Sequence, residues 1–114
     1  MNTNEIDEVS DSRLQDSPEE IAEQRFFSEM NQLKGLLERT ASDLDRREMN
    51  DVLRINAIDV LKNHCEKIGF VFGLPTQNVN VVNFESIGRF VLLGRDPQGN
   101  RKYCICEIPQ ENQN

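Results

Sequence analysis

Apolar residues fall into three successive patterns along this chain. In the first, Phe26, Met30, Leu33 and Leu37 repeat at steps of four, three and four, with Ala22 preceding them and Thr40 and Leu44 continuing the spacing. That is a coiled-coil-like seam on one side of a helix, widened by Phe27 and Leu36. Two heptads are too few for an extended coiled coil, so the seam predicts an antiparallel helix pair. Ser17-Pro18-Glu19-Glu20 marks the start. Serine caps, proline suits the first helical position, and Glu20 stands where a capping box needs it.

The second pattern runs from Asp45 to Phe70. At about 100° per residue, Leu53, Ala57, Val60, Leu61, Cys65 and Ile68 share a broad arc, which Ile58 extends. Val52 and Ile55 sit apart on the other side. This predicts a heavily buried helix with neighbours on more than one side, the core around which the rest packs. Gly69 can close it in a left-handed conformation. Thr40-Ala41-Ser42-Asp43 offers cap residues for a break between the helices, and Ser42 with Asp45 forms a capping-box variant. No Gly or Pro enforces a turn there. One continuous helix of about 50 residues is therefore the alternative.

The third pattern is β-type. Phe70-Val71-Phe72 and Val79 to Phe84 read as short strands, and Ile87 to Gly94 and Lys102 to Ile108 as clearer ones. Asp96-Pro97-Gln98-Gly99-Asn100 supplies a type I turn with Gly99 as the left-handed residue of a bulged hairpin. Setting Asp96 opposite Asn100 places Leu93 against Tyr103, Leu92 against Cys104, Val91 against Ile105 and Phe90 against Cys106. Arg89 then faces Glu107, and Arg95 faces Arg101 at the tip. Both hairpin faces come out apolar, whereas a sheet with one wet face alternates apolar and polar. Two helices that also pack on each other cannot cover both faces. A leftover apolar face marks an interface, and Phe90, Val91, Leu93, Tyr103 and Ile105 are the candidates.

The fold class predicted is α+β: two N-terminal helices, then a small antiparallel sheet ending in a β-hairpin. The 114 residues fit a single domain over 17–109, between an acidic tail (1–16) and a polar one (110–114), both too poor in apolar residues to order themselves. Charge is unevenly placed: residues 1–51 carry 14 acids against 6 bases, and residues 52–114 carry 6 against 7. The acidic half argues against general nucleic-acid affinity. No apolar run approaches the ~20 residues of a membrane span, and the first residues lack the basic start and apolar block of a secretory signal. Three cysteines, an odd number without a framework pattern, fit a reducing cytoplasm.

Little of the chemistry needed for catalysis is present. The one histidine, His64, adjoins Cys65, but successive helical residues diverge and do not form a dyad. Cys104 and Cys106 share a strand face without the paired knuckles of a zinc site, and read as small buried hydrophobes. No phosphate-binding glycine loop occurs. No catalytic residue, metal site or cofactor is therefore assigned. The expected function is a small non-catalytic cytoplasmic protein-binding module of adaptor, chaperone or inhibitor type. It would be a homodimer, bind another protein partner, or both, through the sheet face or the helical seam. The alternative is a nucleic-acid-associated regulator that contacts phosphates through the basic hairpin tip, Arg95, Arg101 and Lys102.

Overall fold

The computed structural model describes residues 17–109; the expectations for the two tails lie outside them. Two helices precede a four-stranded sheet, an α+β architecture. Helix α1, Pro18–Asp45, begins at the expected capping box. The Glu20 N–H donates to Ser17 Oγ at 3.1 Å, and the Ser17 N–H to Glu20 Oε1 at 3.3 Å. It runs unbroken past Thr40 to Ser42, whose cap-forming potential goes unused. Helix α2, Asp51–Lys67, is instead capped by Asn50, whose side chain accepts the Leu53 N–H at 3.0 Å. The chain thus turns at Arg46–Asn50, and the continuous-helix alternative is wrong. Gly69, at φ 93°, ends α2 as expected: the Phe70 N–H reaches back to the Cys65 carbonyl at 3.0 Å.

The sheet order is β1-β4-β3-β2, with β1 Val71–Phe72, β2 Gln77–Phe84, β3 Arg89–Arg95 and β4 Arg101–Glu107. The β3–β4 register is the expected one at every pair, from Arg89 opposite Glu107 to Arg95 opposite Arg101. The hairpin closes through Asp96 and Gly99, which has φ 88°. One feature departs from a purely antiparallel sheet. The chain leaves α2 beside the hairpin tip and runs away from it, so β1 lies parallel to β4.

The two helices are unequal partners. The α1 seam is buried at Phe26, Met30, Leu33 and Leu37, against Val82, Phe84, Ile87, Val91, Leu93 and Tyr103. Helix α2 buries only Ala57, Leu61 and Cys65, while Val52, Ile55 and Val60 remain exposed. The expectation of a heavily buried α2 at the centre is therefore corrected: α1 is the central helix. Phe26 meets Phe70 just beyond the end of α2, while Thr40 and Leu44 of α1 lie beside Leu53 and Ala57. The helices run antiparallel.

Between Gln77 and Asn80, β2 bulges, placing two residues opposite Gly94. Backbone closes on Gly94 there: a Cβ would stand 2.6 Å from the Gln77 carbonyl oxygen and 3.0 Å from Pro75 Cβ. Gly94→Ala is expected to destabilise the fold by about 1–3 kcal/mol, read as a lower urea midpoint at unchanged slope. An unchanged midpoint would show that the bulge yields freely.

Candidate functional site

Alternation along the strands assigns each side chain to a face. Val82, Phe84, Val91, Leu93, Tyr103 and Ile105 face the helices, and all but Ile105 are buried. The opposite face carries Val79, Val81, Phe90, Leu92, Lys102, Cys104 and Cys106. None of these belongs to the core cluster under the helices. Val79 is 41 % exposed and Val81 47 %, while Phe90, Leu92, Cys104 and Cys106 are half-buried, and the loop after β1 crosses this face only near the hairpin tip, at Gly94 and Lys102. This bare apolar face is the main candidate surface.

It is not the face expected. Of the five interface candidates, Val91, Leu93 and Tyr103 are wholly buried beneath the helices in this chain's own core, and Ile105 is half-buried on that side. Only Phe90 lies on the bare face. Pairing register fixes which residues share a face but leaves open which face the helices take. They take the bulkier one, where Tyr103 donates its hydroxyl to Glu66 Oε2 of α2 at 2.9 Å. Burial, reinforced by that carboxylate, raises the Tyr103 pKa well above the ordinary phenol range. The helical seam is likewise spent inside the fold, as Phe26, Met30, Leu33 and Leu37 are buried.

The hairpin tip is engaged too. Arg95 donates through both terminal nitrogens to Glu23 of α1, each at 2.8 Å, with its guanidinium carbon 4.4 Å from the centre of the Phe26 ring. Arg101 pairs with Glu29, one turn and a half further along α1, and donates to the Ile68 carbonyl at 3.2 Å. The candidate anion-contact set is thereby corrected. Arg95 and Arg101 hold α1 against the sheet, and of the three only Lys102 has no ion pair among the described residues. Like-charged neighbours on paired strands are tolerated because each has its own carboxylate. The bidentate hydrogen bonds from Arg95 keep the Glu23 carboxyl below its usual pKa despite opposing desolvation.

His64 is half-buried. Burial, then the charge of Lys67, moves its pKa below the ordinary imidazole value. Burial, with Glu66 beside it, pushes the Cys65 thiol up to about 12, which keeps it protonated and unreactive. Cys104 and Cys106 are free thiols with sulfurs 3.5 Å apart. Burial and its neighbour raise the pKa of Cys104. Among the described residues no three His, Cys, Asp or Glu side chains gather as metal ligands, and no helix is long and apolar enough to cross a membrane. A second concavity, an open groove of about 380 Å³, lies between α2 and the sheet, lined by Ile58, Lys62, Phe72 and Ile105. The sequence analysis missed it, since it arises where two-residue β1 stops and leaves β4 partly uncovered. The chain matches no known protein family, no curated protein and no solved structure.

Because the folded-state pKa of Glu23 is depressed, the pair contributes stability above the ordinary carboxylate pKa, and loses it as pH falls through the lower, folded value. Thermal unfolding of Glu23→Gln is therefore expected to occur at lower temperature than wild type at pH 7, with the gap closing below about pH 4. A gap that persists at pH 2–3 would mean that the pair's charge is not its contribution.

Proposed function

We propose that this chain is a small non-catalytic protein-binding module of adaptor, chaperone or inhibitor type, which engages a protein through the bare face of its sheet. The observation supporting this is the one-sided packing. Both helices lie on one side, and the other presents Val79, Val81, Phe90, Leu92, Cys104 and Cys106 with no described element above them. Contiguous apolar surface of this kind is characteristic of binding sites on soluble chains. Three free thiols, one of them deeply buried, support a reducing compartment such as the cytoplasm. The nucleic-acid reading is the weaker one, because Arg95 and Arg101 already answer carboxylates of α1.

Partner capture by the immobilised full chain tests this reading. Leu92→Asp and Phe90→Asp place charge on the bare face and should reduce recovery of the captured protein at least tenfold. Val52→Asp, on the exposed side of α2, should leave it unchanged. If all three variants recover the partner as wild type does, the bare face is not the site. If the captured material instead absorbs as nucleic acid and its binding falls steeply with salt, the alternative takes precedence.

A further inference from the structure

Among the described residues, the outer strand β2 has a neighbour on one side only. Strand β3 turns its odd-numbered residues toward it: the Arg95 carbonyl accepts the Thr76 N–H at 2.8 Å, and Leu93, Val91 and Arg89 pair with Asn80, Val82 and Phe84. Asn80, Val82 and Phe84 therefore commit their backbone groups to β3. Val81 and Asn83 aim theirs out of the sheet, and no described residue bonds to them.

Exposed edges invite pairing, and chains normally blunt them with short strands, charges or proline. The opposite edge does so. There β1 is two residues long, and the Arg89–Glu107 pair flanks the uncovered part of β4. Strand β2 carries only the bulge at its start, between Gln77 and Asn80, and from Asn80 to Phe84 it pairs regularly. Its eight residues, Gln77–Phe84, include no Lys, Arg, Asp, Glu or Pro, in a chain that is 29 % charged with net charge −7. A second copy of so acidic a chain is repelled from most approaches, but not from this one. Antiparallel pairing about Val81 sets Val81 opposite its own copy and Val79 opposite Asn83, so the outward N–H and C=O groups satisfy one another. No charged residue lies on the paired stretch from Val79 to Asn83.

We infer that two copies of the chain join β2 to β2, antiparallel about Val81, so that two four-stranded sheets become one continuous sheet. This goes beyond the partner-binding reading and leaves it intact. Edge pairing covers neither bare face, but sets the two side by side as one broader apolar platform.

The test is light-scattering mass of the full chain across a concentration series, with amide exchange followed on the same samples. Wild type is expected to reach twice the 13.2 kDa chain mass, with exchange at Val81 and Asn83 slowing at least tenfold as the dimer fills. Val81→Pro removes an N–H that has no partner among the described residues, so it should return the mass to that of one chain, whereas Val81→Thr should remain a dimer. A wild type that stays at single-chain mass, with Val81 and Asn83 exchanging at a concentration-independent rate, overturns the inference. So does a dimer that withstands Val81→Pro but is lost in Leu92→Asp, which would assign self-association to the bare face. Protection that arises only on adding a different protein overturns it as well. Should Val81→Pro unfold the chain, the wild-type exchange series decides alone. Except for a dimer lost in Leu92→Asp, these outcomes leave partner capture by the bare face untouched, and recovery of the captured protein by Leu92→Asp reads it separately.

Discussion

The fold depends on burying a single stripe of α1 against one side of the sheet. Phe26, Met30, Leu33 and Leu37 meet Val82, Phe84, Val91, Leu93 and Tyr103, and each large side chain so buried is worth roughly 1.5–3 kcal/mol relative to exposure. Helix α2 adds a thinner layer through Ala57, Leu61 and Cys65. The two arginine–glutamate pairs at the hairpin tip lie beside Phe26, the first buried residue of the stripe. Being partly exposed, they set the angle and register of α1 more than they stabilise it.

From that constraint the exposed features follow. A helix pair occupies one side of a sheet, so among the described residues the second apolar side has no helix over it and only the loop at Pro75 crossing its tip end. The order β1-β4-β3-β2 also leaves β2 at an edge, next to that uncovered side. Cys65 is buried, with its thiol pushed up to about 12, and the tip arginines are paired with carboxylates of α1. Among the described residues, what stands open is an apolar sheet surface and a backbone edge.

Short-range signals are the reliable ones. The Ser17–Glu20 box, the α1 seam, the Gly69 cap and the hairpin register all depend on residues within a few positions of one another or across one tight turn, and the structure realises each. Tertiary choices were less legible. The arc on α2 looked like a core helix, yet α2 faces the sheet with one narrow stripe and leaves Val52 and Ile55 in solvent. The break at Asn50 is not legible because Thr40-Ala41-Ser42-Asp43 offers equally good caps, with Ser42 and Asp45 completing a capping-box variant. Nothing local shows that Arg95 and Arg101 are matched to Glu23 and Glu29, since the first pair lies 72 residues apart. Register likewise gave the membership of each sheet face, but not which would be covered, and the interface candidates fell mostly on the covered one.

That separation of 72 residues also orders events during synthesis. Helix α1 leaves the ribosome first, yet Leu93 and Tyr103, which close its apolar stripe, come near the end. At about 5–20 residues per second, the stripe waits on the order of 4–15 s for its cover. Throughout that interval Phe26, Met30, Leu33 and Leu37 are open to any chaperone or neighbouring nascent chain. The contacts that place α1 at the centre of the finished protein thus make it the segment most dependent on protection while the protein is being made.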